Sequence, residues 1–126
     1  MAEHSEWVRV AWIDTDAGGR IHFTAAFRWA EQAEFGLYRR LGLLGDDRGD
    51  YPRRRVEAEY LRVLVFDDEV EIRIRVDKVG HTSIRFVWEG VHDGEVAIAG
   101  AHTIVHVDEN GRPAPIDDHE RALLTT

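Results

Sequence analysis

Ten consecutive residues, Asp14 to Phe23, hold two carboxylates one position apart, a glycine pair and a histidine. A carboxylate with the ordinary aspartate pKa of about 3.9 is ionised at neutral pH. It can attack an electrophilic carbon or take a proton from a water. Gly18 and Gly19 let the backbone take positive φ and come close to a ligand. From Thr24 the pattern turns helical, and a helix start offers unpaired N–H groups and a partial positive charge. A carbonyl oxygen docked there would be polarised by fixed donors. The same residue types also make an ordinary turn. His22 fits a base, a donor to a carbonyl, or a surface residue beside the cap. Thr24 fits an N-cap and could also position a water.

The elements on either side must hold that stretch in place. Trp7–Ile13 reads as a strand, with Val8, Val10 and Trp12 on one face. Thr24 to about Leu41 reads as a helix whose apolar stripe is Ala26, Trp29, Ala30, Ala33, Leu37 and Leu41, widened by Phe27 and Tyr38. Gly42 is its expected stop. Glu34 falls inside the apolar arc. Leu43–Pro52 is a turn-rich connector. Four strands follow, at Arg53–Val65, Asp68–Val79, His81–Val91 and Glu95–Asp108. His92-Asp93-Gly94 marks a hairpin, and Ile116–Leu124 suggests a short helix. Short links between the strands require antiparallel pairing. The expected class is α+β: one long central helix packed on a five-stranded antiparallel sheet. The sheet's other face alternates charged and apolar residues, which suits partial cover by a partner subunit.

The 126 residues fit one domain spanning 1–126. With no cysteine, disulfides, zinc–thiolate sites and cysteine nucleophiles are excluded. The start "AEHSEW" lacks the basic and apolar parts of a signal peptide, and no run approaches a membrane span. A cytoplasmic protein without membrane contact is expected. A formal net charge of −8 argues against nucleic acid as a partner.

The order of elements and the run "DTDAGGRIHFTAAFRWAEQAEF" resemble the hot-dog-fold acyl-CoA thioesterases of the 4-hydroxybenzoyl-CoA thioesterase type, from about Glu6 to Val107. The motif is Asp14-Thr15-Asp16-Ala17-Gly18-Gly19, then Phe23, then Arg28-Trp29. The resemblance implies hydrolysis of an acyl-CoA, with Asp16 as nucleophile or general base and the Phe23 N–H polarising the thioester carbonyl. Gly18 and Gly19 would shape the loop. His22, between Gly19 and Phe23, is a candidate catalytic or site-lining residue or a surface one, and Asp14 is expected to be a turn or strand-end residue that helps fix the loop. It further implies homodimers with a joined sheet, often paired again into tetramers, with active sites at the dimer interface. No metal or redox cofactor is implied, since CoA belongs to the substrate. Two departures bear on the acyl pocket. Thr24, Ala25 and Ala26 stand where the family often has a small residue and Asn-Tyr, and Arg20 stands where it usually has an apolar residue.

CoA brings phosphates, so an acidic chain needs local positive charge. Arg53 and Arg55, placed on one strand face by alternation with Arg54 on the other, are candidates. So are Lys78 and the turn residues His81, Thr82 and Ser83. Solvated strand-end charges would look the same. Arg73, Arg75 and Arg85 are expected to pair with carboxylates on neighbouring strands. His102 and His106 share a face, but without a third ligand they suggest no metal site. Glu34 is expected to be paired or solvated, with a reserve catalytic role because a helix carboxylate does the chemistry in another thioesterase branch. Three other readings compete. One is a hot-dog hydratase or dehydratase using His22 and Glu34, one a non-catalytic acyl-binding module, and one a cone-shaped fold of the cystatin or NTF2-like kind.

Overall fold

The computed structural model describes residues 1–45 and 48–126. Asp46 and Asp47 of the expected connector lie outside the described residues. The elements are β1 (Glu3–Arg9), α1 (Ala25–Arg40), β2 (Arg53–Tyr60), β3 (Glu69–Val79), β4 (Ser83–His92), β5 (Glu95–Val105) and α2 (Asp118–Leu124). The strands form one sheet in the order β1-β3-β4-β5-β2. Every neighbouring pair is antiparallel. This is the expected α+β, hot-dog architecture with its long helix on a five-stranded sheet.

Alternation decides the buried face. Val70, Ile72, Ile74 and Val76 of β3 turn inward with Ile84, Phe86 and Trp88 of β4, and all are buried. They meet Ala26, Trp29, Ala30, Ala33 and Leu37 of α1. The alanines let the helix axis lie close to the sheet, and α1 packs over β1 and β3. Burying each Leu or Ile there is worth roughly 1.5–3 kcal/mol. Toward β5 a different device fills the space. Trp88 stands opposite Gly100, and a Cβ at Gly100 would fall 2.4 Å from the indole. Gly100 therefore makes room for the indole to lie across β5.

β1 and β2 depart furthest from the expected bounds. β1 runs Glu3–Arg9 rather than Trp7–Ile13, and Trp12–Asp14 form a single 3-10 turn. The Asp14 carboxylate accepts the Ala11 N–H at 2.8 Å and closes that turn. Val8 and Val10 are buried as expected, whereas Trp12 is 76% exposed. β2 ends at Tyr60 rather than Val65, because the Leu61 and Arg62 N–H groups both turn to the Ala97 carbonyl. Gly42 ends the helix at φ +73°.

The register defines two ends of the sheet. At one, Arg9 pairs with Glu69, His92 with Glu95 and Tyr60 with Ile98. At the other, Glu3 pairs with Arg75, Val79 with Ile84 and Arg53 with Ile104. α1 begins at the first end, where Tyr60 O–H donates to the Phe23 carbonyl, and stops at the second, where Arg40 donates to the Glu3 carbonyl.

Candidate active site

Asp14 to His22 fold into a small hairpin. His22 N–H donates to the Asp14 carbonyl at 2.7 Å, and Asp16 N–H to the Arg20 carbonyl at 2.7 Å. Thr15 bridges Ile21 between them. Ala17, Gly18 and Gly19 make the tip. The Gly18 N–H donates to Asp16 Oδ1 at 2.7 Å. Gly19 needs its lack of a side chain, with φ at +83°.

The two aspartates have separate fates. Asp14 is buried, with its carboxylate on Arg28 at 3.0 Å and on the Ala11 N–H. It fixes the loop. Asp16 is half-buried, and only its Oδ1 is engaged among the described residues. It keeps an oxygen available for chemistry.

The helix start follows directly on this hairpin. The His22 carbonyl accepts the Ala25 N–H at 2.9 Å, which aligns the His22–Phe23 peptide with the helix. The Phe23 N–H therefore points back out of the helix opening, and it has no partner among the described residues. Tyr60 pins the Phe23 carbonyl, and the phenylalanine ring is 62% exposed. Thr24 takes the expected N-cap position, but its backbone is helical and its side chain makes no cap bond. Its Oγ1 lies 2.8 Å from His22 Nδ1 and accepts from Arg28 at 3.2 Å. The Thr24 N–H also points to His22 Nδ1, so that nitrogen is an acceptor and Nε2 bears the proton. The His22 ring stacks on Phe23 with centroids 4.6 Å apart.

The residues expected at phosphates lie elsewhere. Arg53, Arg55, Lys78, His81, Thr82 and Ser83 sit at the far end of the sheet, where α1 stops. Arg53 and Arg55 do not share a face, because a bulge between them resets the register. Arg53 is bound to Glu34 at 2.8 Å and Glu31 at 2.9 Å. Arg55 is exposed, with Glu57 3.8 Å away. Lys78 and His81 are exposed, and Thr82 and Ser83 are half-buried. The carbonyls of His81, Thr82 and Ser83 accept from Ile116, His106 and Gly80. Arg73 and Arg75 pair along their own strand, with Glu71 and Asp77, rather than across strands. Arg85 does reach across, to Asp77 and Glu57.

Sequence reasoning did not foresee the group around Glu34, although a charge inside the apolar arc was its signal. Glu34 is fully buried. Its Oε1 accepts from His102 Nε2 at 2.7 Å and forms an ion pair with Arg53 at 2.8 Å, and its Oε2 accepts from Arg48 at 2.8 Å. Trp88 Nε1–H donates to His102 Nδ1 at 3.1 Å. An indole can only donate, which leaves the His102 proton on Nε2, facing Glu34. Burial alone would push the Glu34 carboxyl up. The His102 hydrogen bond and the charges of Arg53 and Arg48 outweigh it and hold the group below its usual 4.5. With both oxygens engaged inside the fold, Glu34 is not solvated and does not meet His22.

A family model for the thioesterase-like superfamily matches residues 10–124. The chain belongs to the thioesterase-like superfamily. Among solved structures, a thioesterase from Thermus thermophilus, in complex with coenzyme A and zinc, is 26% identical over 98% of both chains, with a TM-score of 0.85. A predicted thioesterase from Bacillus stearothermophilus is 24% identical, covering 98% of this chain and 95% of its own, with a TM-score of 0.88. The 1,4-dihydroxy-2-naphthoyl-CoA thioesterase of Synechocystis is 12% identical over 98% of this chain and 96% of its own, at 0.88. No curated protein matches the sequence. Among the described residues no group of three or more His, Cys, Asp or Glu could hold a metal ion. Among the described residues no helix is long and apolar enough to cross a membrane.

Proposed function

We propose that this chain hydrolyses acyl-CoA thioesters to a free acid and CoA. The thioester carbonyl oxygen rests on the Phe23 N–H at the opening of α1. Asp16 either attacks the carbonyl carbon, giving an anhydride that water opens, or takes a proton from the attacking water. In the first route the sulfur leaves as a thiolate that takes its proton from water, and in the second it takes the proton that Asp16 removed from the water; both release the CoA thiol. The observations that carry this reading are a carboxylate with one oxygen unengaged and, at the helix opening that follows it in the chain, an N–H without a partner among the described residues, in a chain of this superfamily. One such fixed donor is worth about 3–4 kcal/mol of barrier.

The reading includes a second copy. β2 ends the sheet, and Val56 (49% exposed) and Tyr60 (44%) are open on its helix-facing side. An exposed strand edge is a template for another strand. A two-fold axis pairs like edges antiparallel. The start of β2 in one protomer then lies beside Tyr60 and Phe23 of the other. This brings Arg55 of the partner subunit toward the CoA phosphates, a role that it cannot serve at its own protomer's Asp16.

A hydratase would need a free histidine–carboxylate pair, and Glu34 is committed to His102, Arg48 and Arg53. A panel of acyl-CoAs with a thiol-detecting reagent tests the proposal. CoA release is expected for at least one acyl class, and Asp16→Asn should lower it by roughly 10²–10⁴-fold without unfolding the chain. Full activity in that variant would overturn the assignment. Loss of a double bond without thiol release would favour the hydratase.

A further inference from the structure

Arg48, in the connector before β2, points inward with only 13% of its side chain exposed. Its guanidinium carbon lies 4.2 Å from the Tyr38 ring centroid, 4.9 Å from that of Tyr51 and 5.3 Å from that of Phe35. One edge of the guanidinium meets Glu34 Oε2 at 2.8 Å. The two tyrosine hydroxyls both donate to the buried Glu120 of α2, at 2.7 and 2.8 Å, so the rings are held from behind. Arg48 Nε is buried without a hydrogen-bond partner among the described residues.

Three aromatic faces and one carboxylate oxygen suit a flat, weakly hydrated cation. A compact ammonium ion would need more acceptors than the site supplies. Glu34 Oε1 is already taken by His102 and Arg53. We infer that Phe35, Tyr38, Tyr51 and Glu34 form a binding socket selective for guanidinium cations, which the chain fills with its own Arg48. The connector is thereby fastened to α1 by one side chain and, through Tyr51 and Glu120, to α2. A vacated socket takes a free guanidinium compound of the same size. The inference is independent of the hydrolysis reading.

The test is thermal unfolding of Arg48→Ala with and without N-ethylguanidinium at about 10 mM, a concentration matched to millimolar binding. The variant should melt a few degrees below wild type, and the additive should restore at least half of the loss. Ethylammonium should restore none, and neither compound should raise the wild-type Tm. An unchanged Tm in the variant, no rescue, or equal rescue by ethylammonium would each overturn the socket. If Arg48→Ala does not fold, NMR of the wild-type arginine side chains decides. One guanidinium should rotate slowly and shift upfield beside the rings, and that signal should vanish in Arg48→Lys. Arginine signals all averaged as in the free amino acid would refute it.

Discussion

Asp16 and Phe23 contribute different atoms to the proposed reaction, a side-chain oxygen and a backbone hydrogen. The backbone part can be removed alone. Proline lacks an amide hydrogen and is tolerated around helix openings. Phe23→Pro should therefore lower kcat by roughly 10²–10³-fold, while circular dichroism shows the fold retained. Unaltered kcat would place the oxyanion elsewhere. Much of this residue scale was legible in the sequence, because the aspartates, glycines and helix opening are contiguous and local geometry follows from them. Asp14 is tied into the loop by Arg28, one turn into the helix, so that contact is also local, while Asp16 keeps one oxygen unengaged among the described residues. Thr24 holds the expected N-cap position but makes no side-chain cap bond, because His22 and Arg28 compete for its hydroxyl. Arg53 was misread because a bulge, which alternation does not reveal, turned it toward Glu34.

At the scale of elements, α1 lies over β1 and β3, and long polar side chains reach from it to β5 and β2. The helix and three of the later strands were legible from periodicity. The chain's departures at Trp12–Asp14 and after Tyr60 were not, since each turns on hydrogen bonds to distant or side-chain groups. Glu34 ties helix, sheet and connector together, and its charge gives the tie a pH dependence. Its folded pKa lies below the ordinary 4.5. Its contribution is therefore present above about pH 4.5 and is lost as pH falls through the lower folded value. Glu34→Gln should cost about 3 kcal/mol near neutral pH, since Arg48 and Arg53 lose a buried partner. Urea denaturation at about pH 7 and about pH 3.5 should show the variant's deficit shrinking at the acid value. An equal deficit at both would remove Glu34 as the source. His92 works in the opposite sense. Its hydrogen bond to the Glu69 carbonyl raises its pKa above 6.5, so its smaller contribution is lost as pH rises through that raised value.

For the whole molecule, periodicity showed the layer and the number of strands, but not which edge stays open. That depends on the order β1-β3-β4-β5-β2, set by long-range pairing. The order leaves β2 outermost, with Tyr60 at one tip and Arg55 near the other. If two such edges join about a two-fold axis, each reaction centre draws its carboxylate from one chain and its phosphate grip from the other. Two defective proteins can then cure each other. Asp16→Asn and Arg55→Ala chains, each impaired by itself, should regain activity when dissociated together and reassembled, because half of the centres in every mixed pair unite the two sound contributions. Rates that merely average those of the parents would mean that each chain works with its own residues.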